Sequence, residues 1–308
     1  MAWENGRISI GDEVGAYEIV RLIAAGTQAE VYEVRHAGDG TRHAFKLLLV
    51  NLPTGRERFE RENSAQSRLR HPNIIEVHGL IGIGEDELGI LMEYADGPTL
   101  SEWMANRTHI DLNEALLVFR GILAGARHAH SKNLIHRDIK PGNIILTKKD
   151  DRWVPKLGDF GLVRDSEEVR RSTKTGTTLG SPQYMSPEQI ADSKYVDFRS
   201  DLFSLGGILY KLVTGVAPFQ GASGFAVMTA VSEGNYRPPR SVAPNLPPHI
   251  AEVIEGLLTL EVDDRLADYD DIERRLFAGL DSPSPAKVAA AIVAVVAALA
   301  AAAWAVAL

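Results

Sequence analysis

The chain has 308 residues, is 45% hydrophobic and 24% charged, and contains no cysteine. This is the composition of a globular protein with real cores, and it excludes a disordered polypeptide, a disulfide-stapled scaffold and a Cys-ligated zinc site. A net charge of -8 argues against a broad basic surface able to displace counterions from a phosphate backbone, so no nucleic acid is expected among the partners.

Residues 1–16 read as an N-terminal extension without the basic start and apolar run of a secretory signal. From Tyr17 to Val34 apolar and polar residues alternate around a small-residue break at Ala24 and Gly26, which predicts a two-strand hairpin. Arg42 to Leu49 predicts a buried strand with Lys46 embedded in it. A buried ammonium needs a carboxylate or a bound anion, unless it snorkels to water from an edge. Arg56 to Leu69 carries Phe59, Glu62, Gln66 and Leu69 at helical spacing, and His71-Pro72-Asn73 ends that helix. Ile74 to Ile83 and Leu88 to Glu93 predict two more strands, followed by the crossing Tyr94-Ala95-Asp96-Gly97-Pro98. Helical periodicity then takes over at Leu100 to Met104 and Asn113 to Ser131.

Two short motifs follow, His136-Arg137-Asp138-Ile139-Lys140-Pro141-Gly142-Asn143 and Leu157-Gly158-Asp159-Phe160-Gly161. Together they supply a carboxylate able to act as a base, a lysine able to neutralise phosphate, and two hard oxygen ligands of the kind Mg²⁺ takes. Singly, each residue also suits an ordinary turn. The combination is what points to phosphoryl transfer.

The next stretch is rich in hydroxyls and bases, among them Arg170, Arg171, Ser172, Thr173, Lys174 and Thr175, a composition common in surface loops. Ser186-Pro187-Glu188, an apolar helix opened by Asp201, a Gly/Pro-rich stretch from Gly221 to Pro248 and helices over Ile250 to Leu260 and Asp268 to Leu280 complete the domain. Residues 281–287 form a Ser/Pro linker. Val288 to Leu308 carries no charge and is long enough to span a bilayer, although 12 of its 21 residues are Ala and only weakly apolar.

From about Tyr17 to Phe277 these motifs resemble the bacterial, eukaryotic-like Ser/Thr protein kinases of the membrane-anchored type. The resemblance implies an α+β fold of two lobes. A small β-rich lobe with one main helix is expected over about 17–94, and a larger helical lobe over about 98–280, with an apolar helix added over 288–308. ATP and Mg²⁺, or Mn²⁺ in its place, are expected in the cleft between the lobes.

By the same resemblance, Asp138 accepts the proton of the substrate hydroxyl, Lys140 neutralises the γ-phosphate, and Ser181 bonds both. Asn143 and Asp159 are the implied metal ligands. Lys46, paired with Glu62, meets the α- and β-phosphates. Val31, Ala44 and Ile145 sandwich the adenine, Met92 guards its pocket, and the backbones of Glu93 and Ala95 bond its edge. The glycine-rich nucleotide loop falls on Ala24, Gly26, Ala29 and Val31, so only its middle glycine is kept. Gln66 stands where related kinases often stack an apolar residue beneath the Asp-Phe-Gly phenylalanine.

Lys140 and Ser181 point to Ser/Thr substrates, and Thr173 and Thr175 match the sites of autophosphorylation, whose phosphates Arg137 would grip. Glu188 is expected to pair with Arg265, and Asp201 to tether the catalytic loop. The whole is expected to be a signalling kinase acting on proteins, single-pass in the cell inner membrane with its kinase domain cytoplasmic. The small residues of the last segment permit a homodimer. Two other readings stay open: a pseudokinase scaffold, motivated by Ala24, Ala29 and Gln66, and a small-molecule phosphotransferase on the same fold.

Overall fold

The computed structural model describes residues 8–26, 29–49, 63, 66–83, 87–160, 181–192 and 196–277. Strands β1 (Glu13–Val14), β2 (Tyr17–Ala25), β3 (Ala29–His36), β4 (Arg42–Leu48), β5 (Val77–Ile83) and β6 (Glu87–Glu93) form one antiparallel sheet in the order β1-β2-β3-β4-β6-β5. Alternation decides its faces. Ile19, Tyr32, Val34, Phe45, Leu47 and Leu91 pack into one core, whereas the intervening Val31, Ala44 and Lys46 point to the opposite side. Residues before Tyr17 contribute to this lobe as well, since β1 pairs with β2 and Ile8 and Val14 enter the same core.

Register carries the side chains of the cleft. Lys46 stands opposite Val31 on β3 and opposite Ile90 on β6, and Ala44 stands opposite Met92. Directly opposed residues in an antiparallel pair share a face, so Val31, Ala44, Lys46 and Met92 line one surface. Gly89 lets β6 approach closely: a Cβ there would meet the Phe45 ring at 2.0 Å.

The second lobe contains helices α1 (Leu100–Ala105), α2 (Leu112–Ser131), α3 (Pro187–Ala191), α4 (Phe198–Thr214), α5 (Gly224–Ser232), α6 (Pro239–Val242) and α7 (Pro248–Leu257), with a hairpin of β7 (Ile144–Lys149) and β8 (Arg152–Leu157). Asp111 caps α2 by accepting from the amides of Asn113 and Glu114. Helix α4 is buried on all sides, from Leu202 and Phe203 through Leu205, Ile208, Leu209 and Tyr210, as an all-round apolar helix must be. From Asp268 a separate unit carries α8 (Tyr269–Phe277), in which Asp271 pairs with Arg274 and Arg275.

Two expectations need correction. The strand expected from Ile74 starts at Val77, because Ile74 and Ile75 engage the second lobe instead. Ile74 bridges Leu157 in parallel, and the Ile75 amide donates to the Leu157 carbonyl at 2.8 Å. The helix expected to open at Asp201 begins at Phe198, because Asp197 is the residue that caps it, accepting from the Arg199 amide at 2.8 Å. Asp201 is left to bond elsewhere. Of the helix expected over Arg56 to Leu69, Asn63 and Gln66 are described as helical and buried. Glu62, Thr173, Thr175, the linker 281–287 and Val288 to Leu308 lie outside the described residues. Among the described residues, no helix is long and apolar enough to cross a membrane.

The expected pair of Glu188 with Arg265 is present and extensive. The Arg265 side chain is fully buried; it donates to Glu188 Oε1 at 2.7 Å and Oε2 at 3.0 Å, and to the carbonyls of Arg199, Thr259 and Leu260. Ser200 adds a hydroxyl donor to Glu188 at 2.5 Å. Burial alone raises a carboxyl's pKa, but donation from Arg265 and Ser200 outweighs it and holds Glu188 below its ordinary 4.5. The contribution of Glu188 to stability is therefore complete above pH 4.5 and lost as pH falls through the lower folded value. Arg265→Met is expected to cost about 3 kcal/mol in urea unfolding at pH 7, because it strands the partly buried Glu188 carboxylate and three backbone carbonyls. The parent, titrated below pH 4.5, should lose stability that a Glu188→Gln/Arg265→Met double variant does not lose.

Candidate functional site

The loop between α2 and β7 hangs from Asp201, which is 1% exposed. Its Oδ2 accepts from the His136 amide at 2.7 Å and its Oδ1 from the Arg137 amide at 2.8 Å. His130 Nε2 donates to Oδ2 at 2.8 Å. A carboxylate this deep needs such donors, and here two of the three are loop amides. Asp201 thus does what the resemblance implied for it.

His136 carries the constraint onward. Its Nε2 donates to the Gly158 carbonyl at 2.9 Å, and its Nδ1 accepts from the Asp138 amide at 3.3 Å, so acceptor and donor together assign the Nε2–H tautomer. Its ring stacks on Phe160 with centroids 4.4 Å apart. Both turns are tightly wound: Arg137 has φ +65° and Asp159 φ +56°, in the left-handed region that L-residues seldom occupy.

Around Asp138 the polar groups converge. Its Oδ2 accepts from Lys140 Nζ at 2.8 Å and from Asn143 Nδ2 at 3.0 Å. Asn143 Nδ2 also donates to the Asp138 carbonyl at 2.8 Å. With the amide nitrogen turned towards Asp138, the oxygen of Asn143 is the atom available to a hard cation. Asp159 supplies a second oxygen donor. No cluster of three His, Cys, Asp or Glu suited to a metal occurs among the described residues. One carboxylate and one amide nevertheless fit Mg²⁺, which completes its shell with phosphate and water.

Lys46 Nζ donates to Asp159 Oδ1 at 2.5 Å, so the first lobe's lysine and the second lobe's carboxylate aim at one spot. The expected partner Glu62 lies outside the described residues. Ala24 stands opposite Val31, and the Gly26 amide donates to the Ala29 carbonyl at 2.9 Å, closing the turn as a hairpin. Ser181 lines a small pocket together with Asp138, Tyr184 and Gln189.

The crossing between the lobes lies on β7. Leu146 donates its amide to Pro98 at 2.9 Å, Thr99 bridges Ile145, and a Cβ on Gly97 would sit 1.8 Å from the Leu146 carbonyl oxygen. Ile144 and Leu146 are buried in the lobe while Ile145, between them, faces the other way. Lys156 holds the Glu93 side chain at 2.8 Å, leaving the backbone of Glu93 and Ala95 along the crossing.

The sequence reading did not single out Glu33. On β3 it shares the face of Val31 and is buried between two guanidinium groups, with Arg21 Nε and Arg42 Nε each donating at 2.8 Å. Arg42 reaches Asp96 at 3.3 Å and lies 4.0 Å over the Tyr94 ring, while Arg21 donates to the Tyr94 hydroxyl at 2.8 Å. The strands are thereby tied to the crossing. The available signal was one acid within the apolar run Val31 to Val34, matched by a single Arg on each neighbouring strand.

The protein kinase domain family matches residues 17–276. The DNA damage-responsive serine/threonine-protein kinase RqkA of Deinococcus radiodurans is 35% identical over 257 residues, covering 82% of this chain and 37% of that protein. The serine/threonine-protein kinase PrkC of Bacillus subtilis is 31% identical over 271 residues, covering 87% and 41%. The tyrosine-protein kinase MasK of Myxococcus xanthus is 32% identical over 280 residues, covering 85% and 42%. The matched region is thus between 37% and 42% of the length of these relatives. The crystal structure of Rad53 1-466 in complex with AMP-PNP shares the fold with a TM-score of 0.70 at 22% identity, over 86% of this chain and 65% of that one.

Hydrogen bonding from Arg42, with the charges of both arginines, holds the Glu33 carboxyl below its ordinary range against the effect of burial. Glu33→Gln replaces one acceptor with an amide donor that faces a guanidinium. Because both arginines are half exposed, the expected loss is modest, about 1 kcal/mol in urea unfolding at neutral pH. Unchanged stability would show that the two arginines do not depend on this carboxylate.

Proposed function

We propose that this chain, which belongs to the protein kinase family, transfers the γ-phosphoryl group of ATP to serine or threonine hydroxyls of protein substrates in bacterial signalling. The observation that carries this reading is the convergence of Lys46 and Asp159 from opposite lobes beside the Asp138, Lys140 and Asn143 cluster. Phosphoryl transfer asks little covalent chemistry of a protein; it asks for positioning and for neutralisation of charge on the moving oxygens.

Val31, Ala44, Met92 and Ile145 offer apolar faces to the purine, and the backbone of Glu93 and Ala95 offers its edge the amide and carbonyl it needs. Lys46 neutralises the α- and β-phosphates. Asn143 and Asp159 would hold Mg²⁺, or Mn²⁺, which when bound offsets charge on the phosphate oxygens. Asp138 accepts the proton of the substrate hydroxyl as that oxygen bonds to the γ-phosphorus. The bond from phosphorus to the β,γ-bridging oxygen breaks, ADP leaves, and Lys140 neutralises the transferring group. Lys140 and Ser181 support Ser/Thr over tyrosine substrates.

Thr173 and Thr175 are proposed as autophosphorylation sites that activate the enzyme, with Arg137, beside Asp138, as the group that grips the phosphate. Val288 to Leu308 is proposed as a single span in the cell inner membrane with the kinase domain on the cytoplasmic, ATP-containing side, supported by its uncharged length. Its small residues would let two copies pack closely as a homodimer.

Incubation of the full chain with γ-labelled ATP and Mg²⁺ should label a generic protein substrate, and Asp138→Asn and Lys46→Met should each reduce the rate by about 100-fold or more. Equal labelling by the parent and both variants would assign the activity to a contaminant. Phosphoamino-acid analysis should return phosphoserine and phosphothreonine; phosphotyrosine alone would move the substrate class. Phosphopeptide mapping is expected to place phosphate on Thr173 and Thr175. Sedimentation of the full chain with bilayers after alkaline extraction, and its loss on deleting residues 288–308, tests the anchor.

A further inference from the structure

One side chain bridges the catalytic loop to the helix that follows the activation segment, and it belongs to neither motif. Ser186 caps α3, and Gln189, at the third helical position, completes the capping box. The Gln189 amide accepts a hydrogen bond through Oε1 from the Ser186 amide at 3.0 Å, while the Gln189 backbone N–H donates to Ser186 Oγ at 3.3 Å. An N–H can meet only the amide oxygen, so Nε2 is turned the other way. It donates to the Arg137 carbonyl at 2.8 Å.

That carbonyl is half of the peptide group joining Arg137 to Asp138. The other half, the Asp138 amide, donates to His136 Nδ1 at a long 3.3 Å. Arg137 itself sits at φ +65°, with its own amide held by Asp201. A residue in this region keeps its conformation only where its surroundings over-determine it. Asp201 fixes the peptide group entering Arg137, and on the peptide group leaving it, towards Asp138, Gln189 holds the Arg137 carbonyl at 2.8 Å.

We propose that Gln189 is a positioning residue for phosphoryl transfer: its amide nitrogen holds the peptide plane from which the Asp138 side chain projects, while its amide oxygen serves the helix cap. The two ends of one side chain thus have separable jobs. Gln189 also lines the small pocket beside Asp138 and Ser181, so the contact reaches the catalytic loop from the helix that carries Ser186. The proposal rests on the phosphoryl-transfer reading for its kinetic consequence, but not for its structural one.

Two variants of the full chain separate the jobs. Gln189→Glu keeps an oxygen for the cap, in the form most often found in a capping box, and replaces the donor with an oxygen that repels the Arg137 carbonyl. Gln189→Met loses both ends. Gln189→Glu is expected to stay folded at the assay temperature, keep its KM for ATP, and lose kcat by about tenfold, the effect of one misplaced hydrogen bond at the base. Hydrogen exchange of the Asp138 amide should accelerate by a similar factor, with exchange in α4 unchanged. Gln189→Met should show the same kinetic loss and a lower melting temperature. Parent-like kcat and exchange in Gln189→Glu would overturn the proposal, and so would a kcat loss matched by an equal loss of folded protein, which would make Gln189 a helix cap only. If the parent transfers no phosphate, the kinase reading fails alone, and amide exchange still decides the role of Gln189.

Discussion

The carboxylate of Asp201 is the constraint on which the site depends. Helix α4 is buried from Ser200 to Tyr210, so a charge in its first turn would be costly unless donors surrounded it. Among the donors it finds are the amides of His136 and Arg137, and so the catalytic loop is fastened to a deeply buried helix. Everything downstream inherits this anchorage. His136, once its backbone is fixed, presents one ring nitrogen to the Gly158 carbonyl and its face to Phe160, which sets the turn that carries Asp159.

A second buried charge does comparable work elsewhere in the lobe. Arg265 draws Glu188, Ser200 and three backbone carbonyls into one cluster, joining α3 to α4 and to the turn after α7. Helix α3 is short and could not hold its place by burial alone. Pinned through Glu188 and capped by Ser186, it presents Gln189 to the catalytic loop. Rigid packing and chemistry are therefore joined by polar contacts with few alternatives, as expected where buried groups must all be satisfied.

The first lobe uses a different device. Its contribution to the cleft follows from strand register, since a shift of one residue would send Lys46 into the core and Phe45 into the cleft. The Arg21, Glu33 and Arg42 cluster then ties these strands to Tyr94 and Asp96 of the crossing, so that the surface carrying Val31, Ala44 and Lys46 keeps its place relative to the backbone of Glu93 and Ala95.

Much of this was legible in the residues themselves. Alternation determined the strands from Tyr17 to Glu93, three- and four-residue spacing determined α1 and α2, and the two polar motifs determined which groups would gather, because a Lys, two Asp and an Asn beside apolar runs have few other uses. The Glu188 and Arg265 pair was likewise readable, from motif rather than from spacing. Tertiary structure alone decided the rest. That Ile74 and Ile75 leave the sheet for Leu157, that Asp197 takes the cap and frees Asp201 for the loop, that Glu33 is clasped by two arginines, and that Gln189 meets Arg137 all depend on partners far away in the chain. Local pattern records which atoms need a partner. Only the packed chain determines which partner lies within 3 Å or so of each, since that distance is set by every element lying between them.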